Sequence, residues 1–243
     1  MVDDFFAVWQ RMTRACPGSW WDHADGLVHG ETGLPVPPFN GVWQQAATVT
    51  AEAVLEAIDV TVARGLPWNL QLRPGYPTEL DSALEERGLA VTADIPFMTL
   101  TAQPEVATEL VFRKVVTFDD VGEHVRLLEE GFDMPPDLTR RAFPMGMLFV
   151  DGVTVWLGQL GDEVVTTALA FDLGSSVGIF NVATPERHRS KGYGGAVTAH
   201  AVREASATTA WLQSSPLGES VYRRLGFEVT EHWRQWMPRD YLG

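Results

Sequence analysis

Residues 181–197 read NVATPERHRSKGYGGAV, gathering Arg187, His188, Arg189 and Lys191 just ahead of Gly192, Gly194 and Gly195 in a 243-residue chain of formal net charge -14. A β-rich run precedes the stretch, and an alanine-rich run with Val197 and Val202 on one helical face follows it. The stretch is therefore the passage from a strand into a helix. A helix start leaves main-chain N–H groups without intrahelical partners, its dipole adds positive potential, and glycine lets an anion approach the backbone closely. An anionic ligand is the expectation, with Arg189 and Lys191 adding charge beside the loop.

Two nucleotide motifs fail on spacing. A Walker loop needs Gly-x-x-x-x-Gly-Lys followed by Ser or Thr, which is absent here. The dinucleotide fingerprint needs a third glycine where Val197 stands, and no acidic residue closes the run 208–213.

Working outward, 153–160 and 163–173 are β-rich runs separated by Gly161-Asp162, and Gly174-Ser175-Ser176 turns the chain into 177–183. Beyond the loop come a helix over 196–205, a strand over 208–213, a short helix over 218–225 and a strand from Phe227 through Trp236. Upstream, 110–116 reads as a strand, and 121–130 and 137–143 as helices. The order β-α-α-β-β-β-α-β-α-β gives a mixed α/β layer of about 135 residues.

The first part of the chain echoes this order. Trp20-Trp21 and the proline-rich 30–38 read as an irregular entry segment. Phe39-Asn40 then precedes a helical run over 52–63, Trp68-Asn-Leu-Gln-Leu, a run over 80–89 and Phe97-Met98, as Phe180-Asn181 precedes a helix, Trp211-Leu-Gln, 221–227 and Trp236-Met237. The expectation is a tandem pseudo-repeat, divided into 1–107 and 108–243, whose first copy has only Gly41-Val-Trp-Gln-Gln where the second has its basic-glycine loop.

Arg189-x-x-Gly192-x-Gly194 after a strand, with Val182-Ala183-Thr184-Pro185 before it and VYRRLGF over 221–227 after it, resembles the GNAT acetyltransferase superfamily across residues 110–241. The resemblance implies an α/β (α+β) fold with a mixed, largely antiparallel sheet flanked by helices, and acyl-coenzyme A as the ligand, acetyl-CoA in the leading case. It implies that the strand ending at Val182, Ala183 and Thr184 receives the pantetheine arm, with the Val182 N–H polarising the thioester carbonyl. It further implies that the amides of Arg189, Ser190, Lys191, Gly192, Tyr193, Gly194 and Gly195 hold the diphosphate, and that Tyr222 protonates the departing thiolate. The first copy would be a degenerate GNAT-like or accessory domain. No base follows from the resemblance: Asn181 stands where some relatives carry a glutamate, and Glu129, Glu130, Asp133 and His232 are each as well explained as solvated or packed side chains.

Composition bounds the rest. The 18 Lys and Arg against 32 Asp and Glu argue against nucleic acid or anionic membrane as partner and suit a small cationic amine. One cysteine, Cys16, excludes an internal disulfide, and the acidic Met-Val-Asp-Asp-Phe-Phe start is unlike a secretory signal, which together suggest a cytoplasmic protein. The six histidines show no paired ligand spacing, so no metal is expected. The resulting expectation is an acetyl-CoA-dependent N-acetyltransferase, with a non-catalytic acyl-CoA sensor as the alternative and a homodimer left open.

Overall fold

The structure is a computed structural model that describes residues 1–143 and 145–241; the last two residues of the expected second domain lie outside the described residues. In chain order the first elements are α1 (Val2–Arg14), β1 (Trp20–Ala24), β2 (Leu27–Glu31), β3 (Asn40–Gln44), α2 (Ala51–Arg64), β4 (Asn69–Leu72), α3 (Glu79–Glu86) and β5 (Leu89–Leu100). There follow β6 (Val111–Lys114), α4 (Phe118–Phe132), α5 (Pro136–Ala142), β7 (Val153–Leu160), β8 (Glu163–Asp172), β9 (Ser176–Ala183), α6 (Tyr193–Glu204), β10 (Thr209–Gln213), α7 (Pro216–Arg224) and β11 (Glu228–Pro238). From β6 onward the order is the one expected. The entry segment is corrected in part: Trp20 and Trp21 open β1 and Gly30 lies in β2, whereas residues 32–36 form no helix or strand, as expected of the proline-rich stretch. Phe5, Phe6, Val8 and Met12 bury one face of α1, with Asp3 and Asp4 in its first turn and Arg11 and Arg14 in its last, as a helix dipole prefers.

The chain forms two compact units, and they depart from the expected 1–107 and 108–243 division. One comprises Val2–Pro96 and the stretch from Glu231 on; the other comprises Phe97–Thr230. The boundary falls inside unbroken strands, where no turn or polar linker marks it. In the first unit β1, β2 and β3 run antiparallel, β3 and β4 are parallel, and β4 pairs antiparallel with β11 through Leu70↔Trp236 and Leu72↔Arg234. In the second, β6 to β9 form an antiparallel meander, β9 and β10 are parallel, and β10 pairs antiparallel with the end of β5 through Leu212↔Met98 and Gln213↔Phe97.

The pseudo-repeat is visible in this order, since β1-β2-β3-α2-β4-α3-β5 matches β7-β8-β9-α6-β10-α7-β11 in type, and the fourth strand of each is parallel to the third. Each unit includes part of the other copy's last strand, residues 231–238 of β11 in the first and 97–100 of β5 in the second. The Phe-Asn echo does not correspond in space: Asn40 opens β3, whereas Asn181 lies near the end of β9.

Helices cover their sheets through one apolar face each. In the second unit Val197, Ala201 and Val202 of α6 meet Val177, Ile179, Leu212 and Phe227. In the first, Val54, Ala57 and Ile58 of α2 meet Leu70, Leu72 and Trp236.

Candidate active site

The parallel pairing of β9 with β10 runs from Ser176↔Thr209 to Gly178↔Trp211 and stops. Trp211 enforces close packing at that point, since a Cβ on Gly178 would stand 2.4 Å from its ring. Further along β9, the register against β8 shifts between Thr167 and Leu169, and Asn181 opposite this irregularity has a left-handed φ of 53°. A bulge of this kind bends the strand and increases its twist. Residues 179–183 therefore run on without β10, which continues with β5 instead.

Pro185 follows, and a single 3-10 turn, Glu186–His188, carries the chain to the loop. Ser190 (φ 63°) and Gly192 (φ 81°) then turn it into α6. The first helical bond runs from Ala196 N–H to Gly192 O at 2.9 Å, and no side chain caps this end. By contrast Thr50, Thr117 and Ser215 cap α2, α4 and α7. Among the described residues the N–H groups of Ser190, Lys191, Gly192, Tyr193, Gly194 and Gly195 consequently donate to no protein acceptor. The seventh expected amide is a correction: Arg189 N–H is taken by Glu186 O at 3.1 Å.

The basic side chains divide sharply. Arg187 pairs with Glu130 and Glu163, and His188 Nε2 lies 3.0 Å from Glu163 Oε1. Burial opposes the Glu130 carboxylate, yet hydrogen bonds from Arg187 and Arg126 hold it below its ordinary value. The Arg189 guanidinium donates to the carbonyls of Thr184 and Gly131. Of the four, Lys191 alone is exposed and without a partner among the described residues. The cluster thus offers a bound anion two charges not paired with a carboxylate, Lys191 and an Arg189 whose Nε and Nη2 donate to carbonyls, and a set of main-chain dipoles.

The strand end and the helix start meet at Gly194, where a Cβ would lie 3.4 Å from Thr184 Oγ1 and 3.8 Å from Val182 Cγ1. The Val182 side chain packs on the core beneath α6, and Ala183 is buried. Thr166 Oγ1 donates to Ala183 O at 3.1 Å and lies 2.9 Å from Thr184 Oγ1. The single proton of Thr166 is spent on the carbonyl, so Thr184 donates to Thr166 and offers a ligand only its main chain and lone pairs. Tyr193 turns its ring into the core, with its hydroxyl donating to Glu109 at 3.2 Å; only its amide belongs to the loop. Gly195 serves packing as well, since a Cβ there would be 3.3 Å from Val221 on α7.

Tyr222 follows Val221 on α7. Its half-buried ring meets Phe227 edge-on at 5.9 Å, and burial pushes the phenol up to about 12. The hydroxyl has no hydrogen-bond partner among the described residues, a position from which a proton remains available to a ligand.

No protein-family model and no curated protein matches the sequence. Solved structures do match. A GCN5-related N-acetyltransferase from Kribbella flavida superposes with a TM-score of 0.71 at 19% identity, covering 98% of this chain and 95% of its own. A GCN5-related N-acetyltransferase from Sphaerobacter thermophilus gives 0.58 at 17% identity, covering 88% and 81%. A tandem GNAT protein from the clavulanic acid biosynthesis pathway gives 0.56 at 12% identity, covering 91% and 83%.

The fold is the GNAT fold.

Two features of this GNAT fold escaped the sequence reading. Gly131, in the last turn of α4, lets the helix approach β9, because a Cβ would stand 2.9 Å from Ala183 Cβ. A glycine within a helix is disfavoured relative to alanine and, ahead of the cap, signals a packing reason. Thr166 had no comparable signal within its apolar strand. Of the candidate bases, Glu130 is spent on arginines, Glu129 lies 4.0 Å from Arg140, Asp133 caps α4 with φ 52°, and His232 is exposed and belongs to the other unit. The Asn181 Nδ2 is buried without a partner. Among the described residues no three His, Cys, Asp or Glu side chains converge as a metal site requires, and no helix is long and apolar enough to cross a membrane.

The matching place in the first copy differs in chemistry. Thr50 accepts from Ala53 N–H at 3.1 Å, Gln45 and Ala46 N–H both go to Gly26 O, and Asp25, Glu52 and Glu56 line the groove at the start of α2. Asn69 Nδ2 donates to Pro37 O and Asn40 O, and Asn40 Nδ2 to Leu34 O and Pro67 O, lacing the start of β3 to β4. Spent amides and carboxylates make this end unfavourable for a diphosphate.

Proposed function

We propose that the chain is an N-acetyltransferase that passes an acetyl group from acetyl-coenzyme A directly to the primary amine of a small, cationic acceptor. The observation that carries this reading is the row of six unspent main-chain N–H groups, Ser190 to Gly195, at the uncapped start of α6 just past a strand that has left its neighbour. Acetyl-coenzyme A would supply a reactive thioester, a strand-like pantetheine arm and a diphosphate matched to those donors. The six amides and Lys191 would bind the diphosphate. The main chain of residues 179–183, free of β10, would receive the arm as an added strand, and the Val182 N–H would meet developing negative charge on the carbonyl oxygen.

Tyr222 would hold its proton throughout the neutral range and deliver it to sulfur. A phenol at about 12 is a weak acid; it donates only as charge develops on its partner, so position matters more than acidity. Asn181 does not accept a proton, so the attacking amine's proton would leave through water to solvent, and solvent would return a proton to the Tyr222 phenolate after the thiol departs. The excess of acidic side chains favours a cationic acceptor. The first copy would act as a degenerate GNAT-like domain without a nucleotide, giving one acetyl-coenzyme A per chain, and the single Cys16 suits the cytoplasm.

The test is release of free thiol from acetyl-coenzyme A across a panel of amines, with calorimetric titration of coenzyme A alongside. Turnover on at least one amine, with one binding site per chain, is expected. Failure to bind coenzyme A would overturn the reading. Binding without turnover would favour a non-catalytic acyl-coenzyme A sensor, for which the asparagine in place of a base at 181 is the supporting observation.

A further inference from the structure

Arg189 sits at the head of the glycine loop, and its charge invites assignment as an anion ligand. Its bonds lead elsewhere. Nη2 donates to Gly131 O at 2.9 Å and Nε donates to Thr184 O at 3.2 Å. Gly131 belongs to the last turn of α4, whose carbonyls have no following N–H to accept from. A guanidinium there satisfies an orphan acceptor, faces the negative end of the helix dipole and spans two acceptors with one planar fork. The backbone around it is already in contact, since a Cβ on Gly131 would lie 2.9 Å from Ala183 Cβ and 3.5 Å from Thr184 N. Arg189 thus closes a ring made of the end of α4, the end of β9 and the loop that follows.

We propose that Arg189 is a positioning residue and not an anion ligand: it straps the last turn of α4 and the end of β9 to the loop, so that the amides from Ser190 on are presented from a fixed frame. The use of those amides rests on the function proposed above; the strap itself does not.

Two variants separate the roles. Arg189→Met keeps length without donor or charge, and Arg189→Gln keeps a donor without charge. In the ligand-free protein, hydrogen exchange at the amides of Asp133 and Met134, which both donate to Glu129 O, reads the order of the α4 end directly. The Met variant is expected to speed that exchange about fivefold, the effect of a charge-assisted hydrogen bond discounted for exposure, with Gln clearly closer to wild type. Coenzyme A affinity should fall in the same order, and the KM for acetyl-coenzyme A should rise about fivefold in the Met variant with kcat unchanged. Unchanged exchange in both variants, or a Gln variant indistinguishable from Met, would overturn the proposal. A wild-type protein that does not bind coenzyme A would sink the proposed function alone, leaving the exchange result to decide the strap.

Discussion

Gly192→Ala is the sharpest perturbation of the loop. Gly192 has φ 81° and ψ 1°, a left-handed conformation, and an added Cβ would meet nothing within 4 Å. No clash contributes, so the whole cost is backbone strain, roughly 1–2 kcal/mol for an L-residue held there. The protein has two ways to bear it. If the loop keeps its shape, the folded state loses that stability and affinity for coenzyme A is intact. If the loop relaxes to a negative φ, stability recovers, the amides before α6 turn away from their common ligand, and affinity falls by a factor of about 5–30. Denaturant unfolding and calorimetric titration on the same sample measure both. Gly192→Asn, whose side chain tolerates the left-handed region, should restore most of whichever quantity is lost. An alanine variant that matches wild type in both measurements would refute the reasoning, because the left-handed turn would then not be needed to present the amides.

Three further expectations concern titrating groups. Tyr222→Phe should lower kcat about a hundredfold while leaving the amine KM within about twofold, measured by steady-state thiol release. The same phenol sits at about 12 in the folded chain against ~10 unfolded. The folded state then holds its proton more tightly, so stability falls as pH rises through that window. Tyr76 is also pushed up to about 12, by burial and by Asp81, so alkaline unfolding midpoints of Tyr222→Phe and Tyr76→Phe should each show a shallower fall. Asp120 behaves oppositely: burial opposes its charge, but hydrogen bonds from Val116, Thr117 and Arg113 bring it down to about 2. Its stabilisation is present above ~4 and is lost as pH falls toward 2, and Asp120→Ala should cost about 2 kcal/mol at neutral pH by denaturant unfolding.

Much of the second unit is written locally. Gly161-Asp162 and Gly174 mark turns between alternating runs, and the glycines before Ala196 mark the strand-to-helix passage, so β7 to α6 can be placed without knowledge of distant partners. The exchange of last strands is not local. β5 continues unbroken through Phe97, and its choice of Leu212 and Gln213 as partners depends on residues far along the chain. Within the candidate site, the amides and Tyr222 follow from a motif at fixed spacing. The work of Arg189 does not, because its acceptors are main-chain carbonyls at Gly131 and Thr184, which every residue type offers alike. Helix α1 was legible in principle, from Phe5, Phe6, Val8 and Met12, but adjacent aromatic and proline-rich segments obscured it.

The borrowing of β11 by the unit of residues 2–96 bears on synthesis. As the nascent chain leaves the ribosome, that unit exposes the open edge of β4 until residues 234–236 arrive to cover it. An uncovered edge invites pairing with other chains. Emergence of residues 234–236 therefore sets the clock for that unit's maturation, and until then its β4 edge is open to pairing with other chains.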